Sequence, residues 1–368
     1  MNRSQFRSRS KSGGAAGGEL ELLRWVRARA AGAASRGLRL GVGDDCALLH
    51  PQDGEELAVT TDLSIDGRHF RLDWHAPEVV GHRTLARGLS DLAAMGARPV
   101  AAFLSLGLPK ELIRNAGGRE ARQATHVTTW PATGQAIWFH RFYEGFLALA
   151  AAHKTPLAGG DLAESPLALA DIVLIGSVPR GRALLRSGAR PGDLLYITGS
   201  LGGAAAGLTR LAELAGASPR AKAAPPGSWK LPKKLSATLA PHLYPQPRIA
   251  QGLVLMRRGL ATAALDVSDG LSIDLGRLCD ESGVAAEVDA AALPVFPGAT
   301  LEQALDGGED YELLFTAASG ARVPPSIAGV PVTRIGRIVR RRPGKPAVTL
   351  YTADGPRPLE ARGWEHFA

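Results

Sequence analysis

Apolar residues recur along this chain at two different periods. Leu22, Leu23, Val26 and Ala30 fall on one face of a 3.6-residue repeat and predict an amphipathic helix over Glu19 to Ala34. Helices are likewise predicted for Pro77–Ala94, Ile137–His153, Gly202–Leu214, Pro247–Arg258 and Ser272–Ser282. Short apolar runs predict strands at Glu56–Asp62, Val100–Leu108, Leu167–Val178, Leu194–Thr198 and Ala263–Val267. Leu157-Ala158 leads directly into a Gly159-Gly160-Asp161 turn. Two stretches follow neither period. Lys110 to Ala136 reads as a loop insertion, and Gly216–Thr238, rich in Pro, Lys and Ala, reads as a mobile loop.

Strands and helices mix throughout, which predicts an α+β (mixed α/β) protein. At 368 residues the chain accommodates two cores. The turn-rich segment Arg186–Asp193 sets a boundary near residue 180, giving an N-terminal domain at 19–180 and a C-terminal α+β domain at 181–368. Residues 1–18 read as a disordered basic tail without the apolar stretch of a secretory signal. No apolar run has membrane-spanning length, and Cys46 and Cys279 have no metal-binding spacing, so a cytoplasmic protein with reduced thiols is expected.

The net charge of +8 raises nucleic-acid binding as an alternative, non-enzymatic function. The positive runs (Arg3 to Lys11, Lys230 to Lys234, Arg340 to Arg342) are scattered and not interleaved with aromatics, so neither nucleic acid nor membrane is the expected partner. The acids are distributed differently. Six short motifs set a carboxylate beside Gly, Ser or Thr: Gly43-Asp44-Asp45, Thr60-Thr61-Asp62, Ser90-Asp91, Gly159-Gly160-Asp161, Asp266-Val267-Ser268-Asp269 and Gly307-Gly308-Glu309-Asp310. One such Asp is ordinarily a turn or a helix cap. Six in a basic chain point to one site assembled from distant segments, where divalent cations offset the repulsion and hold a polyphosphate. No Walker A motif, kinase-type Gly-rich loop or nucleophile elbow is present, which favours metal-assisted phosphoryl transfer without a covalent intermediate. Gly202–Gly207, at a helix start, offers backbone amides to a phosphate or room for close packing.

The motifs, with Gly67-Arg68-His69-Phe70, Leu89–Ala97, Arg186–Asp193 and Gly363–Phe367 in this order, resemble the thiamine-monophosphate kinase family from about Glu19 to the C-terminus. That resemblance implies the two-domain fold shared with aminoimidazole ribonucleotide synthetase, an active site in the inter-domain cleft, and homodimers paired through N-terminal domains. It implies ATP-dependent phosphorylation of thiamine monophosphate to thiamine diphosphate with several Mg2+ ions. Asp45, Thr60, Thr61, Asp62, Asp91, Asp161, Asp266 and Asp269 are then the magnesium ligands. Tyr143, Gly160, Asp161, Arg186 and Ser268 meet ATP, and His69, Glu309 and Trp364 meet thiamine monophosphate. Asp91 and Arg186 are the most critical. A related synthetase forming an acyl or imidate phosphate is the alternative enzyme.

Overall fold

Each half of the chain builds its own sheet, and one helix touches both. The structure, a computed structural model, describes residues 19–30, 32, 35–113, 138–216 and 236–364. The first half runs α1 (Glu19–Ala30), β1 (Leu38–Leu40), β2 (Leu48–Leu49), β3 (Glu55–Ile65), α2 (Pro77–Ala94), β4 (Arg98–Leu108), α3 (Lys110–Ile113), α4 (Trp138–Ala152), β5 (Leu157–Glu164) and β6 (Leu169–Pro179). Its four-stranded sheet has the order β3-β6-β4-β5, with β1 and β2 paired separately. The tail and most of the two irregular stretches lie outside the described residues.

The helix α2 covers one face of this sheet. Its Leu85, Leu89 and Leu92 are fully buried, and α4 packs on it through Phe139, Phe142 and Phe146. The two backbones nearly touch: a Cβ on Gly81 would fall 1.9 Å from the Phe142 carbonyl oxygen, and one on Gly145 1.8 Å from that of Glu78. Either Gly→Ala change would push the helices apart.

The second half runs β7 (Leu194–Thr198), α5 (Gly203–Gly216), α6 (Ala240–Leu243), α7 (Ile249–Arg258), β8 (Ala263–Asp266), α8 (Leu271–Ser282), β9 (Val284–Asp289), α9 (Leu301–Asp306), β10 (Leu313–Ala317), β11 (Ser326–Ile327), β12 (Val330–Arg340), β13 (Val348–Thr352) and β14 (Gly355–Pro358). The strand order is β14-β13-β9-β12-β7-β10-β8, with β11 added beside β12. Strands β8 and β10 are buried along their whole length. Ala264, Leu313 and Phe315 join the core cluster that contains α2, whereas Leu265 and Leu314 join a second cluster with Leu271 and Leu275 of α8. The α+β architecture is thus two sheets sharing a core through α2.

Two predicted turns are strand interiors instead. β3 continues past Asp62 to Ile65, and β5 passes through Gly160 and Asp161 to Glu164. Pairing with β6 and β4 satisfies these backbones, so no turn is needed.

Candidate active site at the junction of the two sheets

Strand alternation decides which acids meet. Neighbouring residues of a strand face opposite ways, so Thr60, Thr61 and Asp62 cannot all reach one site with their side chains. Thr60 and Asp62 face α2. The Thr60 hydroxyl donates to Asp91, and Asp62 Oδ1 accepts from Arg87 Nη2 at 3.1 Å. One residue before Asp91, Ser90 Oγ donates to Asp266 Oδ2 at 2.6 Å, joining α2 to the end of β8.

Asp266 is therefore buried close to the half-buried Asp91. Burial, with Asp62 nearby, pushes Asp91 up to about 6, while the Thr60 hydroxyl, Arg186 and Arg87 pull it down. Burial and the Asp91 charge push Asp266 up to about 8, against the Ser90 hydrogen bond. Paired carboxylates that resist ionisation are hard oxygen donors whose repulsion a divalent cation relieves, so this pair fits Mg2+. Among the described residues no three His, Cys, Asp or Glu side chains close into a complete metal shell.

The turn after β8 extends the row. Asp274 Oδ2 accepts from the Ser268 and Asp269 amides at 3.0 and 2.9 Å, fixing the turn, and Arg277 Nη1 holds Asp269 at 2.6 Å. The Ser268 carbonyl accepts from the Glu309 amide at 2.7 Å, and the Asp269 carbonyl accepts from the Trp364 amide at 2.9 Å. Glu309 has φ +67°, a strained conformation for a residue with a side chain. Its Oε1 accepts from Arg83 Nη2 at 2.7 Å, and the same guanidinium donates to the His69 carbonyl at 3.2 Å. Burial opposes ionisation of Glu309, but Arg83, His242 and Arg87 outweigh it and hold the group at about 2. His242 Nε2 lies 3.0 Å from His75 Nε2, a buried pair behind the ion pair.

Hydrogen bonds, chain neighbours and electrostatic coupling together make one network of Thr60, His69, Asp62, Asp91, Asp266, Ser268, Asp269, Glu309 and Trp364, His69 through its carbonyl and Trp364 through its amide, and the Arg186 charge acts on Asp91. Four side-chain expectations fall outside it, and so does Gly160. Thr61 lies on the far face of the first sheet, with exposed Val59 and Leu63. Asp161 aligns there too: its register partner is Ser105, then Asp171, then Leu63, whereas its neighbour Leu162 packs toward the α2 core. Asp45 occupies an exposed turn between β1 and β2, where its amide donates to Asp44 Oδ1 at 2.9 Å, and no hydrogen bond or ion pair given for the described residues ties it to the acids of the network. Tyr143 is corrected most plainly. Its ring is buried among Trp25, Phe139, Phe142 and Phe146, not presented to a nucleotide.

Two glycine readings also change. Gly160 is needed for packing, since a Cβ there would fall 1.9 Å from the Leu104 carbonyl oxygen at φ +148°. The amides at the start of α5 are occupied by Asp310, whose carboxylate accepts from Gly202 and Ala204 at 2.6 and 2.9 Å. Burial pushes Asp310 up to about 7 despite those bonds. Gly202–Gly207 is thus a protein-capped helix start, not a vacant phosphate cradle.

Sequence reading missed Arg83, Arg87 and His242, and gave Ser90 no role beyond its place beside Asp91. Arg83, Arg87 and Asp91 recur every four residues on α2, a charged stripe inside an otherwise apolar helix. That stripe was the signal.

Comparison with known proteins decides the lineage. The family described as AIR synthase related protein, N-terminal domain, matches residues 43–178, and its C-terminal counterpart matches 190–344. Thiamine-monophosphate kinase of Escherichia coli is 38% identical over 344 residues, covering 90% of this chain and 93% of that protein. The chain belongs to the thiamine-monophosphate kinase family. A further member, from Bacillus subtilis, is 30% identical over 341 residues, covering 89% of this chain and 93% of that one. The solved thiamine-monophosphate kinase of Stenotrophomonas maltophilia has a TM-score of 0.70 at 36% identity, covering 90% of this chain and 96% of that chain. A structure described as AaThiL complexed with AMPPCP and TMP has a TM-score of 0.67 at 28% identity, covering 99% of this chain and 100% of that one. The hydrogenase maturation protein HypE, at 18% identity and a TM-score of 0.65, shares the fold. Among the described residues no helix is long and apolar enough to cross a membrane.

Proposed function

We propose that the protein phosphorylates thiamine monophosphate to thiamine diphosphate, with ATP as the donor. The carrying observation is the carboxylate row Asp62, Asp91 and Asp266 at the sheet junction, in a chain related over nine-tenths of its length to kinases of that name. Thr60, Asp62, Asp91 and Asp266 would hold Mg2+, with Asp269 next along the row. Several Mg2+ ions held by these residues would supply the screening of donor phosphate from acceptor phosphate, a repulsion of several kcal/mol even at an effective dielectric of about 20.

Everything else the chain contributes is positioning. Arg186, whose charge acts on Asp91, offers a planar fork to the triphosphate, and Ser268 a hydroxyl. Glu309, kept ionised by Arg83, works with His69 and Trp364 on the acceptor. A π face such as Trp364 suits a cationic thiazolium ring. Among the described residues no Ser, Thr or Cys in the network is hydrogen-bonded to a His that would activate it, and in this reading the acceptor phosphate attacks ATP directly and in line. Incubation with magnesium-ATP and thiamine monophosphate is expected to yield thiamine diphosphate and ADP in equal amounts. ADP formation independent of thiamine monophosphate would reject this acceptor.

Two copies would pair through the first sheet. The hairpin of β1 and β2 covers part of its outer face, where Leu38, Ala47 and Leu49 pack near Phe103 of β4 and Ile175 of β6. Leu57, Val59 and Leu63 of β3 stay uncovered, Val59 at 60% exposure. Val59→Asp is expected to halve the mass measured by light scattering without lowering helix content. An unchanged dimer would place the interface elsewhere.

A further inference from the structure

We propose that Arg83, backed by the buried His242–His75 pair, is the positioning residue that aims Glu309 and the loop of His69 at the acceptor, an inference that rests on the kinase reading and deepens it. Arg83 is buried, and its guanidinium joins three segments far apart in the sequence. Nη2 donates to Glu309 Oε1 at 2.7 Å and to the His69 carbonyl at 3.2 Å, and Nη1 donates to the His242 carbonyl. A planar fork fixes these acceptors relative to one another, which an ammonium point charge does not. Glu309 needs such a hold. Its backbone is strained and its side chain stays partly open to solvent, so without Arg83 the carboxylate would spread over several rotamers.

The histidine pair holds Arg83 from behind. His242 Nδ1 lies 3.3 Å from Arg83 Nη1 and 3.8 Å from Glu309 Oε2. A guanidinium only donates, so Nδ1 accepts and the His242 hydrogen sits on Nε2. That hydrogen meets His75 Nε2 at 3.0 Å, which must accept it. His75 then carries its own hydrogen on Nδ1, 3.2 Å from the Arg71 carbonyl. The Arg71 end can run either way, because the Arg71 amide is as near, at 3.1 Å. The Arg83 end cannot, so it sets the direction of the whole relay. Burial and the Arg83 charge keep His75 down at about 4 and His242 well below its ordinary value, so both rings are neutral acceptors and not rival cations. The helix that carries His242 is itself pinned to α2. Leu239 and Leu243 pack against Ala76 and Val79, and His82 Nε2 donates to the Pro245 carbonyl at 2.8 Å.

Arg83→Lys keeps the charge and loses the fork. His242→Leu removes the ring that accepts from Arg83, and His242→Asn, whose amide oxygen can stand in for Nδ1, is the conservative control. Steady-state assays should show the KM for thiamine monophosphate raised about 30-fold by Arg83→Lys and about tenfold by His242→Leu, with most of the loss recovered in His242→Asn. Both kcat and the KM for ATP should stay within about threefold of wild type, a split that general loss of structure does not produce. An equal rise in the two KM values, or an unchanged KM for thiamine monophosphate in Arg83→Lys and His242→Leu, overturns the positioning role. Nitrogen NMR of histidine-labelled protein should find His242 protonated on Nε2 and His75 on Nδ1, and the reverse pair of tautomers overturns the relay. Calorimetry without ATP separates this failure from failure of the kinase reading. Wild-type binding of thiamine monophosphate that weakens about tenfold in His242→Leu supports the relay even if no diphosphate forms, and binding unchanged in that variant overturns it. Absence of binding in wild type rejects the acceptor and the positioning role with it.

Discussion

Asp91→Asn yields a folded protein whose turnover drops by about 10²–10³-fold or more, the scale seen when one preorganised electrostatic group is removed from an active site. Asn has the shape of Asp and still accepts from the Thr60 hydroxyl, so the contact between α2 and β3 survives. It lacks the negative charge that stands between Asp62 on one side and Asp266 on the other. No other described carboxylate links these two, so the cation that screens phosphate from phosphate loses its central ligand. Measured kcat should fall while the melting temperature holds or rises, because one member of a repelling group has been neutralised. Turnover within tenfold of wild type would remove Asp91 from the site.

The distinction between fold and site explains what was legible in the sequence. Helix α2 could be read to its last residue, since its apolar stripe and Pro77 are local signals. Asp266 could be placed at a strand end because the rest of the short β8 is apolar and a Gly-containing turn follows. Thr61 and Asp161 were read as turn residues for one shared reason. Small residues beside Asp suggest a turn, yet here the ladder of β6, β4 and β5 absorbs them into strands and sends alternate side chains to the far face. Tyr143 lies on a helix apolar enough to be core, and its environment depends on α1 and α2, which local pattern does not reveal. Arg83 and Arg87 were overlooked because a basic residue on a helix is usually a surface residue. Only the packed structure shows Arg83 5% exposed, with its charge spent on Glu309 from the other half of the chain.

Asp266→Asn should separate stability from activity. The folded protein holds Asp266 at about 8, far above the 3.8 of an unperturbed Asp. Between those values the folded state retains a proton that the unfolded state releases, so this group's contribution to stability falls as pH rises from about 4 to about 8. Asn carries no such dependence and still accepts from Ser90 Oγ. In the absence of divalent metal the variant should therefore melt above wild type, by several degrees at pH 8 and by much less at pH 5.5. Magnesium should raise the melting temperature of wild type more at pH 8 than at pH 5.5, because protons and the cation compete for the same pair of carboxylates, and should raise that of the variant little at either pH. Turnover should collapse alongside the gain in stability, since the repulsion between Asp91 and Asp266 is what makes the pair a cation site. A variant melting at or below wild type at pH 8, with the same magnesium response, would show that Asp266 is not an electrostatically strained member of this site.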